Sequence, residues 1–430
     1  MKKVALILDH PSRDLDYISD IALSISESGI KTYIVPSNMR HRELLLLRPD
    51  YVLYTNHRDT SANEIRILNE VGVSIGVLET EQCVTDAFFE KYQIPKNIQT
   101  LKTDISDFFV WGEYFSNLCI SKNWYDQNQI KIAGSPKHDR YFSQKNSSTP
   151  KEYDILIATS FQNSNPLSGH EVSRKTYQDL GMNDTEIDIF NQLHVDNVQN
   201  TIDFINNELS NTDLKILLRV HPYEDNYQLY KNKIKSKNVV IENSNHTIIS
   251  SLNKAKILIH FNSSACIDAQ ACDVPSINMS WMPHLEVFHD SSEIMTSVSY
   301  QPKSTTECIQ IIDDIISKKF KLKIENDSEE MKKFIFKFDG FSSKRCADLI
   351  ASSVFSDYIE LNLDIKQNIF IKKYNPRSFL VSLILKYRWK RTKKYFTKVD
   401  IKKSLVKNFP SVKLTNPKRV GMNLTSVELL

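Results

Sequence analysis

The sequence predicts an α/β protein of two successive doubly wound halves, each a parallel sheet covered by helices on both faces. Three observations predict it. Short β-rich apolar runs alternate with amphipathic helical patterns through the first 140 or so residues, a polar stretch at 143–150 interrupts them, and the alternation then restarts. Alternating units of this length imply crossover helices and parallel strands. At 430 residues the chain has room for two or three domains, taking roughly 100–200 residues per domain.

In order, Val4–Leu8 reads as a first strand, and 14–28 as a helix with Leu15, Ile18, Ile21, Ala22 and Ile25 on one face, closed by Gly29. The strand Thr32–Val35, a helix at 40–47, the strand Tyr51–Tyr54 and a helix at 61–71 follow. Further strands are expected at Val73–Leu78, Phe108–Trp111 and Ile130–Ala133. After the linker, strands are expected at Asp154–Ala158, Lys215–Val220, Val239–Ile241, Ile257–His260 and Ser276–Ile277. Helices should cover 184–209, 264–271, 305–318 and 328–337, with a last one at 342–357 closing the second domain. The division is therefore 1–142, the linker 143–150, a second domain 151–358 and a tail 359–430.

Composition excludes several classes. No apolar run approaches the roughly 20 residues of a membrane span, and the start resembles a signal peptide only as far as Asp9, so it reads as a buried strand. The six cysteines form no CxxC pair, which suits a reducing cytoplasm better than a disulfide or zinc scaffold. Nine glycines without a GxGxxG or GxxxxGK[ST] motif argue against fingerprint dinucleotide enzymes and P-loop NTPases. No HExxH, DxD or similarly spaced ligand set calls for a metal, and no organic cofactor is expected.

Ligands of open α/β sheets sit at the carboxyl ends of the strands, so the residues just after strands carry the functional reading. In Arg219-Val-His-Pro-Tyr-Glu-Asp225 the strand delivers His221, and Pro222 stops the ladder; the imidazole can donate to a phosphate oxygen, with Arg219 beside it. In His260-Phe-Asn-Ser-Ser-Ala265 a buried strand runs through Asn262, Ser263 and Ser264 into a helix, an arrangement that offers hydroxyls and amides to an anion. Thr159 and Ser160 follow another strand and open a polar loop at phosphate-contacting height. In the first half, Val77-Leu-Glu-Thr-Glu-Gln82 places two acids, Glu79 and Glu81, at a strand end, where either could deprotonate an acceptor hydroxyl if its pKa were raised. His10 and Arg13 follow the first strand, on the acceptor side, and Lys137 is positioned to meet a donor phosphate. Ordinary strand caps, helix caps and solvated loops are the plainer reading of each segment taken alone.

Together, strand–His-Pro and strand–Ser-Ser–helix about forty residues apart resemble the HP and SS motifs of bacterial transferases that use cytidine-nucleotide donors: sialyl-, polysialyl-, Kdo and polyol-phosphate transferases. Pro11-Ser-Arg-Asp-Leu15, Glu79-Thr-Glu-Gln82, Val110-Trp-Gly112 and Ala133-Gly-Ser-Pro-Lys-His-Asp139 are similar to the pattern of the bacterial surface carbohydrate biosynthesis family, with departures at Gln82, Ser135 and Lys137. The resemblance implies a GT-B fold, with the nucleotide-sugar donor in the second domain and the acceptor mainly in the first. It also implies a carboxylate base from the acidic motif, and which of Glu79 and Glu81 serves stays open.

The tail, expected to be basic, amphipathic and helical, is a separate matter. Residues 366–430 hold 17 Lys/Arg against two acids, Asp400 and Glu428, in a chain with 55 basic and 52 acidic residues overall. Between 372 and 407 cations interleave with Trp389, Tyr395 and Phe396 after the apolar run Phe379–Leu385, which suits an anionic bilayer surface better than nucleic acid. The expectation is a metal-independent glycosyltransferase of surface polysaccharide (capsule or O-antigen) assembly, cytoplasmic and peripheral on the inner membrane face. Its donor would be a CMP-activated ulosonic acid and its acceptor a glycan or lipid-linked glycan. The alternatives are a CDP-polyol phosphotransferase, a UDP-sugar transferase, a 2-epimerase of the same architecture, and a non-catalytic membrane scaffold.

Overall fold

The computed structural model describes residues 1–38, 40–144, 150–243, 246–284, 292–319 and 321–356, with Asp400 and the backbone of 418–420 and 426–429. Two compact units form. One comprises Met1–Gln82, Gln93–Ser143 and the chain from Lys332 onward; the other comprises Cys83–Tyr92 and Gln144–Met331.

In the first unit the strands are β1 Lys3–Leu8, β2 Lys31–Pro36, β3 Tyr51–Tyr54, β4 Ser74–Leu78, β5 Asp107–Val110 and β6 Ile130–Ile132. They pair in parallel in the order β2-β1-β3-β4-β5-β6. Strand order reverses between β1 and β3, which is where a doubly wound sheet opens its ligand crevice. Burial on both sides explains why β1 reads as a continuous apolar run rather than an alternation.

The second unit holds β7 Tyr153–Ala158, β8 Ile216–Arg219, β9 Val239–Glu242, β10 Ala255–His260, β11 Ser276–Asn278 and β12 Ser299–Tyr300. All pair in parallel, in the order β12-β11-β10-β7-β8-β9. Counted from β7 this is the dinucleotide-fold order 3-2-1-4-5-6, with its switch point between β7 and β10. Two wound halves with this content are the GT-B fold class expected from sequence.

Two expectations need correction. The helix Ser342–Ser356, expected to close the second domain, lays Cys346, Ala347, Ile350, Ala351 and Val354 into the first unit's core, with Ile18, Ile21, Ala22 and Ile25 of the helix Pro11–Glu27. Its apolar face suits either core, and sequence order misassigned it. Of the tail expected to be helical, two described pieces are strands: Lys418–Val420 pairs antiparallel with Ser426–Leu429, and the latter adds antiparallel to β2. An edge strand leaves ladder groups unpaired, and these segments satisfy them. Except for Asp400, the interleaved stretch 372–407 lies outside the described residues.

Glycine is required where chains pass closely. A Cβ on Gly134, whose φ is +84°, would stand 2.5 Å from Ser342 Oγ and 2.7 Å from the Phe336 carbonyl oxygen. On Gly112 it would stand 2.5 Å from the Phe334 carbonyl oxygen. Both glycines thus accommodate the returning segment at 334–342, which gives the Trp-Gly and Gly-Ser-Pro motifs a packing role.

Candidate functional site

The first unit gathers charge at the ends of β1, β3, β4 and β6. Pro11 begins the helix after β1, as a residue without an N–H can. Asp14 in its first turn accepts the His10 N–H at 3.1 Å and the Arg13 Nη2 at 2.8 Å. Arg13 Nη1 also donates to Glu81 Oε1, and Arg58 Nη2 lies 3.9 Å from Glu81 Oε2. His10 pairs with Asp9 at 3.3 Å. Desolvation alone would raise the Glu81 carboxyl, but Arg13, Arg58, Lys137 and His10 outweigh it and hold it below its ordinary value. Lys137 therefore belongs, electrostatically, to the cation cluster around Glu81.

Glu79 behaves oppositely. It is 4% exposed, and its Oε1 accepts the N–H groups of Thr80 at 3.0 Å and Glu81 at 3.3 Å. Burial first, and the neighbouring Glu81 charge second, push its carboxyl up to about 7 against the pull of Arg58, the Glu81 N–H and Arg13. Two acids two residues apart are thus driven in opposite directions by their surroundings, the usual signature of divided acid–base roles. Gln82 is a buried clamp. Its Nε2 donates to the carbonyls of Glu79 at 3.0 Å and Phe109 at 3.2 Å, and its Oε1 accepts the Trp111 N–H at 2.8 Å.

Sequence reading missed His57 and Arg58, which follow β3 at the switch point. His57 is fully buried against Phe108 and Tyr125, with Nδ1 4.0 Å from Glu79 Oε2. Burial and the adjacent Arg58 push its pKa down to about 3, so the ring is neutral. The available signal was position alone: a histidine three residues past a strand whose end faces the crevice.

In the second unit the ends of β7, β8 and β10 carry the expected residues. Glu224, also missed, is the hub that organises them. Its Oε2 accepts Thr159 Oγ1 at 2.7 Å and the Phe161 N–H at 3.2 Å, and its Oε1 accepts Asn226 Nδ2 at 2.9 Å and Tyr230 OH at 2.8 Å. Thr159 Oγ1 in turn accepts the His221 N–H at 3.0 Å, which ties the ends of β7 and β8 together. Ser160 Oγ donates to the Phe261 carbonyl at 2.8 Å and ties β7 to β10. Arg219 is buried and donates to Glu242 Oε1 at 3.3 Å and to the His246 carbonyl.

His221 remains. Its Nδ1 accepts the Tyr223 N–H at 3.2 Å, which leaves Nε2 as the protonated nitrogen of the neutral ring. Desolvation and Arg219 push its pKa down to about 4. Pro222, exposed, turns the chain directly after it. Asn262 sits at φ +37°, a conformation asparagine tolerates better than most residues. It is clamped to Asn278: its N–H donates to Asn278 Oδ1 at 2.8 Å, and Asn278 Nδ2 donates to its Oδ1 at 2.6 Å. Ser263 and Ser264 are half-buried; Ser263 Oγ accepts the Ala265 N–H at 3.3 Å, which leaves its own proton available to donate.

No family profile matches the chain, and no curated protein is similar to it. Solved structures are similar in fold. A UDP-GlcNAc 2-epimerase from Methanocaldococcus jannaschii in complex with UDP-GlcNAc and UDP aligns with a TM-score of 0.53 at 13% identity, over 81% of this chain and 99% of that one. The S. aureus MnaA–UDP structure aligns at 0.56 and 12% identity, over 84% and 98%. A UDP-GlcNAc 2-epimerase from Neisseria meningitidis bound to UDP-GlcNAc aligns at 0.51 and 9%, over 83% and 100%. At these identities the likeness establishes the two-domain GT-B fold.

Proposed function

We propose that the chain is a glycosyltransferase working from a nucleotide-sugar donor, with Glu79 as general base. The observation that carries this reading is the split acid pair: Glu79 is held near neutrality while Glu81 stays ionised among Arg13, Arg58 and Lys137. A base poised near the working pH is the efficient one. In the reaction the acceptor hydroxyl gives its proton to Glu79 and its oxygen bonds to the anomeric carbon. The bond from that carbon to the nucleotide phosphate breaks, and its electrons leave with the phosphate. The Nε2–H of His221 and the hydroxyls of Ser263 and Ser264 are the donors suited to that developing charge.

The HP and SS segments favour a CMP-linked ulosonic acid as donor, while the UDP complexes among the fold neighbours favour a uridine nucleotide. A thermal-shift panel of CMP, CDP, UDP, GDP and dTDP on wild type and His221→Ala decides between them, since a ligand bound to the native state raises Tm. Stabilisation by CMP that is lost in His221→Ala supports the ulosonic donor. Stabilisation by UDP moves the donor class, and no shift with any nucleotide overturns the donor site.

A second reading, a nucleotide-sugar 2-epimerase, is favoured by alignment over nearly the whole length of known epimerases. It predicts turnover of donor with no acceptor present, whereas the transferase consumes donor stoichiometrically with acceptor. The acceptor we propose is a surface-polysaccharide glycan or its lipid-linked form, met at the cytoplasmic membrane face through the basic segment 372–407. Among the described residues no helix is long and apolar enough to cross a membrane.

A further inference from the structure

Among the described residues beside the acid pair, His57 has both of its polar side-chain atoms left without a hydrogen-bond partner. It has no exposed surface, and neither ring nitrogen has a hydrogen-bond partner. Either neutral tautomer carries one N–H, so a buried donor goes unsatisfied, which is costly and uncommon in a packed core. The rings of Phe108 and Tyr125 fix the plane of the imidazole, at centroid separations of 5.4 and 5.9 Å. Its Nδ1 faces Glu79 Oε2 across 4.0 Å, about one ångström beyond hydrogen-bond distance. The other oxygen of Glu79 is already held by two backbone N–H groups.

We propose that His57 is the positioning residue of Glu79: when Glu79 ionises, the gap closes and Nδ1–H donates to Oε2, which fixes the carboxylate for proton abstraction. The inference rests on the reading of Glu79 as base, and no charge moves through the imidazole, which stays neutral throughout. A neutral carboxyl gains little from the contact, whereas a carboxylate gains a charge-assisted hydrogen bond. On this proposal the 4.0 Å separation closes on ionisation, and the unsatisfied N–H is held for the carboxylate. Other groups also act on Glu79: Glu81 and Arg58 from the strand ends, Arg13 from the first turn of the helix Pro11–Glu27, Cys119 from the helix Glu113–Ser121, and Tyr125 just after it. Arg58 and Arg13 favour ionisation and Glu81 opposes it, while the thiol and phenol, both pushed up by burial, stay neutral.

The test reads the Glu79 titration directly, by carbon-13 NMR of side-chain-labelled glutamate with Glu79→Gln to assign the signal. It compares wild type with His57→Phe, His57→Met and His57→Gln. Removing the donor in His57→Phe or His57→Met should raise the Glu79 midpoint by about one unit, and His57→Gln, which keeps an N–H, should restore part of the shift. The acid limb of the pH–rate profile should move with it. If the phenylalanine variant fails to fold, the methionine variant carries the same readout. An unchanged midpoint in the donor-less variants, or an equal shift in all three, overturns the inference. A shifted midpoint in a protein that turns over no nucleotide sugar would sustain the role of His57 and overturn the transferase reading instead.

Discussion

Glu79 and Glu81 lie two residues apart in opposite surroundings, and that difference produces opposed predictions for one substitution. A carboxyl that titrates near 7 in the folded chain and near 4.5 otherwise binds its proton more tightly when folded. Its contribution to stability is fully present below about pH 4.5 and is lost as pH rises through 7. Glu79→Gln should therefore raise stability at pH 8, by about 3 kcal/mol at most, while abolishing transfer; Tm and turnover measured on the same sample at pH 6 and pH 8 check both. Loss of activity with no pH-dependent gain in Tm would show that Glu79 is not desolvated as described. Wild-type activity should fall below pH 7 as the base protonates. At this scale the sequence revealed the acid pair but not its division, because the deciding groups, Arg13, Arg58 and Lys137, lie far from it along the chain. The ion pair of Arg219 was hidden for the same reason: its partner Glu242 lies on the neighbouring strand.

The helix Ser342–Ser356 shows what element-level reading captures and what escapes it. Its apolar stripe was legible, as were all the longer strands, because burial on both sheet faces demands continuous apolar runs. Its destination was not, since it is set by a contact two hundred residues away: Asp139 accepts the N–H groups of Ser342 at 3.0 Å and Ser343 at 2.5 Å, capping the helix start. The helix His170–Asp179 escaped too, because it buries no side chain and so writes no apolar pattern. Two-residue β12 is too short to leave a signal. Asp139→Ala leaves the helix-start amides without acceptor and should cost about 2 kcal/mol, while Asp139→Asn, still a competent cap, should cost less than half of that. Urea unfolding followed by tryptophan fluorescence checks this, with a probe in each unit, because two compact units need not melt together. Equal losses in the two variants would mean that charge, rather than capping, is what Asp139 supplies.

Across the whole molecule, each sheet has a switch point and the charge is spread unevenly along the chain. The first sheet reverses order between β1 and β3 and the second between β7 and β10, and the candidate residues follow the carboxyl ends of these strands and of their neighbours β4, β6 and β8. The basic end is a different kind of feature: 17 cations and two acids within 366–430 set against a chain whose totals nearly cancel. A cytoplasmic leaflet rich in anionic lipid attracts such a segment by about 1 kcal/mol per cation near the surface. Reversing Lys386, Lys390, Arg388 and Arg391 to glutamate in the full chain removes four attractions and adds four repulsions. Cosedimentation with phosphatidylglycerol vesicles should then weaken by at least about a thousandfold. Wild-type binding should fall steeply with added salt and be absent on phosphatidylcholine vesicles. RNA added as competitor separates the remaining possibility: displacement at equimolar phosphate would assign the segment to nucleic acid, and persistence on the vesicle assigns it to an anionic bilayer surface.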